Sequence, residues 1–497
     1  MSENTAPRPE PALAFRGGWP SAFIPIGIFL TFCVLYLLVF KAFDMTALAM
    51  GALVGLLAGA ILCRNYAEYW EAVKRGIGSP VSTTIVMILF IISMFAGLMK
   101  ASNVGAGFVW LGQTIGIGSG GFVAFVFAAV VVICMATGSS IGTMFAAFPF
   151  FFPAGVLLGA PPALLAGAIV SGAIFGDNLG PVTDTTTISA STQNFRGKRG
   201  VADIAGVVKS RAPYAAVAGT VSLVLFFIFG ELTASNTTAP VALDGAASNP
   251  RALIMLIPAA AMLVVAFTTR NIFKAITVGL VTGILFGLAF GLIQPSDIIG
   301  VADGMATGFL VAGVTNMIGT ITLVITVFGI MGVLTSAGVL DLVVERLAKS
   351  KMTNSARGVE TAIALGISAI AVLFAGVNSA AMVTFGPVVD RMGAEAKLHP
   401  YRRANVMDCF AMGIGCVIPF LSCYLFIASS LTSGYEGVAA LNTTEIFTGT
   451  FYPLVLTVVM IVAVLTGWGR RFEAADSRPV KTVEETQADP DSAVVAG

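Results

Sequence analysis

Two carboxylates stand in an apolar stretch of this chain, at a point where a membrane helix would otherwise continue. Residues 174–192 read IFGDNLGPVTDTTTISAST and contain Asp177, Asp184 and a run of hydroxyl side chains. Gly180 and Pro181 lie between the two aspartates, and both residue types interrupt helices. Because carboxylates are costly in hydrocarbon, they usually face a polar cavity or a cation. We therefore expect an unwound segment that binds Na+ at Asp177 and Asp184.

The chemistry expected of such a site is ion exchange. Sodium prefers hard oxygen ligands, which carbonyls, hydroxyls and one or two carboxylates supply. Burial of a carboxylate favours its neutral form, whereas a bound cation favours its charged form. Asp177 or Asp184 is therefore the candidate for binding Na+ and H+ in alternation. An alternative stays open for Asp184, which precedes three threonines and is a plausible cap of a half-helix.

The composition indicates a membrane protein. Of the 497 residues, 57% are hydrophobic and 11% are charged, whereas soluble domains carry roughly 25% charged residues. All six cysteines fall in apolar segments, so neither a disulfide framework nor a zinc site is expected. We expect no cofactor, no enzymatic activity and no nucleic-acid partner. The expected location is a plasma membrane, the inner membrane of a bacterium, with the lipid bilayer as partner.

Twelve apolar segments are expected to form membrane helices, since each approaches or exceeds a span of about 20 residues. They lie at 22–40, 45–63, 81–100, 121–158, 161–194, 212–231, 251–268, 273–291, 310–335, 357–390, 400–433 and 450–468. A further amphipathic helix at 66–77 is expected to lie at the membrane interface.

Proline and glycine positions recur in the two halves of the chain. Pro149 matches Pro387 and Pro181 matches Pro419, and such internal repeats are typical of secondary transporters. The expected domains are a cytoplasmic tail at 1–20, a first repeat at 21–231, an extracytoplasmic linker at 232–250, a second repeat at 251–468, and a disordered cytoplasmic tail at 469–497.

Loop charge predicts opposite orientations for the two repeats. The loop at 195–211 carries five basic residues, whereas its counterpart at 434–449 carries none. The loop at 391–403 is also basic, and basic loops are usually cytoplasmic. Opposite orientations require an odd number of crossings per repeat, so 121–158 and 357–390 are interpreted as hairpins. This predicts an all-α polytopic protein of two inverted repeats, each with five transmembrane helices plus a hairpin, and with both termini cytoplasmic.

The two hairpin tips and two broken helices are expected to meet at the centre. The expected site residues are Ser139, Ser140, Asn378 and Ser379 at the tips, Asp177, Thr183 and Asp184 in the first broken helix, and Asp408, Gly415 and Ser422 in the second. Half-helix ends offer N–H groups to anions and free carbonyls to cations. For Asp408, a pairing or packing role near the basic loop stays open beside a role in ion binding.

The stretch GDNLGPVTDTTTISAST resembles the GDK-x-SP-x-SDTTNLA signature of the NhaC-type sodium/proton antiporter family. The resemblance implies ion handling by Asp177, Asn178, Asp184, Thr185 and Thr186. It also implies an elevator-type carrier of the ion transporter superfamily, and a homodimer. Among the departures from the signature, Asn178 and Gly180 replace a Lys and a Ser.

Two transport functions are compatible with these observations. The first is sodium/proton antiport. The second is sodium-coupled transport or exchange of a small organic anion (malate- or lactate-like) or an amino acid, whose carboxylate would bind helix N-termini. An intramembrane aspartyl protease is disfavoured because Asp177 and Asp184 lie on one segment. A passive channel is disfavoured because inverted repeats with broken helices favour alternating access.

Overall fold

The computed structural model describes most of the chain. The described residues are 13–40, 44–104, 107, 110, 119–181, 183–234, 249–269, 271–302, 304–339, 355–433 and 440–486. Most of the expected N-terminal tail, nearly all of the expected linker and the last part of the C-terminal tail lie outside them. Six residues of the loop at 434–449 also lie outside the described residues.

The described residues are mainly α-helical. The helices of the first half are α1 (Ile24–Val34), α2 (Met45–Leu62), α3 (Tyr66–Ile77), α4 (Pro80–Ala101), α5 (Ser119–Thr137), α6 (Ser140–Leu157), α7 (Pro162–Leu179), α8 (Asp184–Ser191) and α9 (Ile204–Ala234). Those of the second half are α10 (Leu256–Thr269), α11 (Ile272–Ala289), α12 (Pro295–Ile298), α13 (Phe309–Ser336), α14 (Ala356–Leu373), α15 (Asn378–Glu395), α16 (Pro400–Ala411), α17 (Cys423–Leu431), α18 (Thr443–Thr448) and α19 (Phe451–Thr466). Two antiparallel two-stranded sheets complete the fold, with strands β1 (Gly300–Ala302), β2 (Met305–Thr307), β3 (Phe472–Glu473) and β4 (Pro479–Val480).

The helices agree with the predicted apolar segments. Within the described residues, nine helical stretches are long and apolar enough to cross a membrane, and three further apolar helices are shorter. Each of the predicted apolar segments contains helix in the structure. A multi-pass membrane protein is therefore supported, whereas the number of crossings and the inverted orientation of the repeats remain predictions.

The chain divides into two compact units. The first comprises the described parts of Met1–Met87 and Ile318–Leu347. Within it, α2 packs so closely on α1 that a Cβ added at Gly55 would lie 2.3 Å from the Pro25 carbonyl oxygen. Tyr69 of α3, the amphipathic helix expected at the membrane interface, is buried and donates to the Leu56 carbonyl oxygen at 2.8 Å, so its side chain packs inside this unit.

The second unit comprises the described parts of Ile88–Met317 and Ala348–Gly497, and it contains every predicted site residue. Its two predicted hairpin tips are both present as interruptions between helices. Gly138 separates α5 from α6 with a φ of 78°, and Gly376 separates α14 from α15 with a φ of 79°. Because L-residues rarely adopt this left-handed conformation, glycine explains why the chain turns at both positions.

Both predicted broken helices are also present in this unit. The first broken helix is unwound between Leu179, where α7 ends, and Asp184, where α8 begins. The second is unwound between Ala411 and Cys423, with a short 3-10 turn at Ile414–Cys416. The Gly and Pro residues in each interval account for the interruption.

The beginning of the C-terminal tail is folded, although the sequence predicts disorder from residue 469. Strands β3 and β4 form a hairpin, and its backbone binds the turn before α16 through Glu473 N–H to the Lys397 carbonyl oxygen at 2.9 Å. The Glu473 carboxylate accepts the backbone N–H of Arg196 at 2.7 Å. Phe472 is buried, so both apolar and polar contacts explain why this segment is ordered.

Three arginines counted above as loop charges are buried in helices instead. Arg211 lies in α9, and Arg402 and Arg403 lie in α16. Each pairs with a buried carboxylate, which explains its position: the partners are Asp408, Glu360 and Asp390, respectively. These arginines therefore add no charge to the loops at 195–211 and 391–403, and the cytoplasmic assignment depends on the remaining basic residues there.

Candidate functional site

Asp177 lies in the last turn of α7, immediately before the unwound interval. Its side chain is only 4% exposed. Ser140, the first residue of α6, donates to Asp177 Oδ2 at 2.5 Å. Thr185 of α8 donates to Asp177 Oδ1 at 2.7 Å. The carboxylate is therefore held between the first hairpin tip and the second half of its own broken helix.

This arrangement extends into the second half of the chain. Tyr424, in the first turn of α17, has its hydroxyl 2.8 Å from Ser140 Oγ. Thr183 donates to the backbone carbonyl oxygen of Asp177 at 2.8 Å. The second half of the chain thus contributes a hydroxyl that contacts Ser140, which in turn binds the Asp177 carboxylate.

Asp177 lacks a positive partner within the described part of the chain. Nine ion pairs are found there, and none involves Asp177. A buried carboxylate without a counter-charge is strongly destabilising unless it is protonated or binds a cation. The oxygen atoms of Ser140, Thr185 and Asp177 itself are the hard ligands that a sodium ion would require.

Asp184 differs from Asp177 in its surroundings. It is exposed, and it occupies the first turn of α8, where the positive end of the helix dipole stabilises an acidic side chain. No hydrogen bond to its side chain is found among the described residues, and none links it to Asp177. Asp184 is the first residue of α8, and Thr183 rather than Asp184 occupies the cap position, so both sodium binding and capping by Asp184 remain predictions.

Asp408 belongs to a separate polar cluster. It is fully buried in α16, and Arg211 of α9 binds its Oδ2 atom at 2.8 Å. Asn178 donates to Asp408 Oδ1 at 2.8 Å, and Ser189 donates to Oδ2 at 2.9 Å. The pairing alternative left open for Asp408 is thus the one that the structure favours.

The predicted residues Asn178 and Thr186 contact this second cluster. Asn178 accepts a hydrogen bond from the Tyr452 hydroxyl at 3.0 Å, and its carbonyl oxygen accepts one from Arg211 Nη1 at 2.5 Å. Thr186 Oγ1 lies 3.1 Å from Arg211 Nη1. Neither side chain binds the Asp177 carboxylate, although Asn178 is the next residue in the chain.

The remaining predicted residues shape the hairpin tips and the second break. Ser139 caps α6 by accepting the Gly142 N–H at 3.2 Å. Ser422 donates to the Cys416 carbonyl oxygen at 2.5 Å and caps α17. The Asn378 amide lies against the Ala411 carbonyl oxygen at 3.0 Å. Ser379 is partly exposed at the second tip.

Gly415 is buried in the 3-10 turn of the second break. A Cβ added there would lie 3.2 Å from the Ala371 Cβ atom of α14. Its position is therefore explained by close packing between the second break and the second hairpin, beside any role in ion binding.

Three functional candidates were not found from the sequence: Arg211, Tyr424 and Tyr452. Arg211 was assigned to a loop because it lies at the edge of an apolar segment. Two buried aspartates in apolar segments, Asp177 and Asp408, were a signal that a basic partner could also be buried. Within the described residues, no group of three or more His, Cys, Asp or Glu side chains that could bind a metal ion is found.

Comparisons with known proteins agree on the class of protein. The model of the Na+/H+ antiporter family matches residues 12–231. The malate-2H(+)/Na(+)-lactate antiporter of Bacillus subtilis (strain 168) is 24% identical over 350 residues, which is 67% of this chain and 72% of that protein. The Na(+)/H(+) antiporter NhaC of Alkalihalophilus pseudofirmus is 27% identical over 227 residues, 43% of this chain and 48% of that protein.

A third relative is similar over nearly the whole chain. The arginine/ornithine antiporter ArcD of Halobacterium salinarum is 22% identical over 498 residues, 94% of this chain and 96% of that protein. The family match confirms the resemblance drawn from residues 176–192. Together with the apolar helices, these relatives support a membrane-embedded secondary transporter.

Proposed function

We propose that the protein is a sodium/proton antiporter whose exchanging group is Asp177. The match of residues 12–231 to the model of the Na+/H+ antiporter family supports this proposal. The observation that carries the proposal is a buried carboxylate that accepts two hydroxyl hydrogen bonds and has no basic partner among the described residues. Its negative charge must be balanced by a transported ion or by a proton.

The two ions compete for the same oxygen atoms. Sodium binds when Asp177 is ionised, with Ser140 and Thr185 hydroxyl oxygens turned towards it as additional ligands. A proton displaces it by binding one carboxylate oxygen, after which Asp177 is neutral and Na+ is released. The chain thus carries either Na+ or H+ through the same position, and the binding of one excludes the other.

The residues around Asp177 come from separate, interrupted elements. Ser140 lies at a hairpin tip, Thr185 lies beyond the unwound interval, and Tyr424 begins the second half of the other broken helix. Opening any of these contacts would expose the carboxylate to water on one side. Broken helices and hairpins of this kind support alternating access, although an elevator motion and a homodimer are expectations from the family alone.

The proposal is tested in proteoliposomes containing a pH-sensitive dye. Addition of Na+ to the wild-type protein is expected to produce a pH change, and Asp177→Asn is expected to abolish it. Asp476→Asn is the control, because it removes an exposed carboxylate in a C-terminal turn. Asp184→Asn decides whether the second predicted aspartate exchanges ions, and we expect it to retain sodium-dependent exchange.

Retention of wild-type exchange by a folded Asp177→Asn protein would contradict the proposal. Size-exclusion profiles and thermal melting curves of each variant show whether a loss of exchange reflects misfolding. Loss in Asp184→Asn alone would instead assign the exchange to the exposed carboxylate.

A second candidate function is sodium-coupled exchange of a small organic anion or an amino acid. The similarity to ArcD over 94% of this chain supports it, since that relative is named for arginine and ornithine. Thermal stabilisation by malate, lactate, arginine or ornithine only in the presence of Na+ would favour this candidate. Sodium-driven pH change without any organic solute would favour sodium/proton antiport.

A further inference from the structure

We infer that each chain binds a single Na+, because Arg211 is a resident cation that occupies the polar site around the second buried carboxylate, Asp408. The inference rests on the proposed function, since it takes Asp177 as the sodium site. It assigns to Arg211 the role of determining how many cations the transporter carries.

The two buried aspartates have different partners. Asp177 and Asp408 are 4% and 0% exposed, respectively, so neither is solvated by bulk water. Among the described residues, the Asp177 carboxylate binds only hydroxyl groups, from Ser140 and Thr185. Asp408 binds a guanidinium group at 2.8 Å. One carboxylate therefore has an internal counter-charge, whereas the other depends on an ion from outside.

Five oxygen atoms surround the Arg211 guanidinium group. They are the carbonyl oxygen of Asn178 at 2.5 Å, Thr186 Oγ1 at 3.1 Å, Ser189 Oγ at 3.1 Å, Asn405 Oδ1 at 3.0 Å and Asp408 Oδ2 at 2.8 Å. The Asn178 carbonyl lies at the C-terminal end of α7, which carries the negative end of the helix dipole. A free carbonyl of a broken helix, hydroxyls and a carboxylate are the ligands that sodium uses in transporters.

The guanidinium group therefore takes the position that a second sodium ion would need. Because this cation is a side chain of the protein, it stays in the site at every step of a transport cycle, unlike a sodium ion. Arg211 is fully buried, and its side chain binds residues of both halves of the first broken helix as well as α16. Asp408 is thereby neutralised without a transported ion.

The same contacts exclude a role for Arg211 as the receptor of an organic carboxylate. Its Nε, Nη1 and Nη2 atoms all donate to protein oxygens, namely those of Asn405, Asn178 and Ser189. A substrate carboxylate would have to displace Asp408, which would leave that carboxylate buried and unpaired. Arg211 is therefore a residue that sets the number of cations and not one that recognises an anion.

The test counts sodium ions bound to the purified full chain. Equilibrium dialysis with radioactive Na+ at alkaline pH is expected to give one ion per chain for wild type and for Arg211→Lys, which keeps the positive charge. Arg211→Gln leaves Asp408 ionised among the oxygens of Asn178 and Ser189, so it is expected to bind two. The double variant R211Q/D408N removes both charges and is expected to return to one.

A wild-type protein that binds two sodium ions would overturn the inference, as would a folded Arg211→Gln protein that binds only one. If Arg211→Gln does not fold, the wild-type count still decides whether one or two sodium ions bind per chain. Asp177→Asn separates a failure of the single-site inference from a failure of the proposed function. A wild-type count of two that falls to one in Asp177→Asn overturns the single-site inference and leaves the proposed function standing. No binding by wild type, or an unchanged count in Asp177→Asn, overturns both.

Discussion

The Ser140 hydroxyl donates to Asp177 Oδ2 at 2.5 Å, across 37 positions of sequence. Ser140 opens α6 at the tip of the first hairpin, and Asp177 closes α7 beside the first unwound interval. The hydrogen bond therefore joins two interrupted elements at a carboxylate that has no basic partner among the described residues. Under the proposed function, movement of the hairpin tip would remove a hydrogen-bond donor from Asp177 and so couple access to ion binding.

Ser140→Ala should weaken sodium binding. A hydrogen bond to a charged group contributes about 1.5–3 kcal/mol, so the KM for Na+ is expected to rise about tenfold or more. Thr185→Val removes the hydroxyl on the other carboxylate oxygen and should act in the same direction. Initial rates of sodium-dependent pH change in proteoliposomes, measured over a range of Na+ concentrations, give the KM.

Ser222→Ala is the control for both substitutions. Ser222 is fully buried, and its hydroxyl donates to the Ala218 carbonyl of its own helix at 2.7 Å. Its removal should leave the KM for Na+ unchanged. A Ser140→Ala protein with the wild-type KM would contradict the assignment of this hydroxyl to the ion site.

Gly376→Ala should impair transport through the second hairpin tip. An L-residue in the left-handed conformation is destabilised by about 1–2 kcal/mol. At Gly376 the added Cβ would also lie 2.9 Å from the Cys416 carbonyl oxygen in the second broken helix. Gly159 has a similar φ of 81°, but nothing lies within 4 Å of an added Cβ there.

Gly159→Ala therefore reports backbone strain without the contact. Both variants should melt at a lower temperature than wild type, and Gly376→Ala should in addition lose sodium-dependent transport. Equal transport by the two variants would mean that the contact between the second tip and the second break does not matter for function.

The local features of this fold were readable from the sequence. Gly138, Gly376 and Pro181 interrupt long apolar runs, and a residue that breaks a helix does so through its own backbone. Asp177 was recognised because a carboxylate in an apolar segment needs compensation. These signals depend on a few neighbouring residues, so they do not require knowledge of the tertiary structure.

The ion pair between Arg211 and Asp408 could not be predicted from the sequence in the same way. Arg211 and Asp408 lie in different halves of the chain, and only the packing of α9 against α16 brings them together. Arg211 was therefore interpreted as a loop residue that marks the cytoplasmic side. The hairpin β3–β4 was missed for a related reason, because its order depends on contacts with Arg196 and Lys397, which are distant in sequence.

Glu360→Gln should destabilise the second unit strongly. Glu360 is fully buried, and it accepts Arg402 Nε at 2.7 Å and Arg470 Nη2 at 2.7 Å. Loss of its charge leaves Arg402 buried without a counter-charge, and breaking a buried ion pair in this way costs about 3–5 kcal/mol. The thermal melting temperature of the purified protein in detergent measures the effect.

Glu395→Gln removes an exposed partner and serves as the comparison. Its pair with Arg391 is solvent-accessible on both sides, and such pairs contribute roughly 0–1 kcal/mol. The melting temperature of this variant should stay close to that of wild type. Similar losses in the two variants would show that burial of Glu360 is not what makes its ion pairs important.

His399 should make the stability of the protein depend on pH in the mildly acidic range. Its Nδ1 atom accepts the backbone N–H of Tyr401 at 3.2 Å and so caps α16, while Nε2 lies 3.2 Å from the Ser477 carbonyl oxygen. Burial lowers the pKa of His399 below its usual value of 6.5; the Ser477 carbonyl and Glu473 oppose this effect, and Arg403 and Lys198 add to it. Protonation would add a hydrogen to Nδ1, which could then no longer accept the Tyr401 N–H, and the cap would be lost.

The sign of the effect follows from this lowered pKa. The unfolded chain binds the proton more tightly than the folded chain, so the stabilisation is complete above about pH 6.5 and is lost as the pH falls through the lower folded value. His399→Asn keeps an acceptor suited to the cap but does not titrate, and His399 is the only histidine in the chain. The melting temperature of wild type should therefore fall more steeply below pH 6.5 than that of His399→Asn, because carboxylate protonation is common to both proteins. Parallel melting curves over this range would mean that the capping imidazole stays neutral or that its protonation is not coupled to folding.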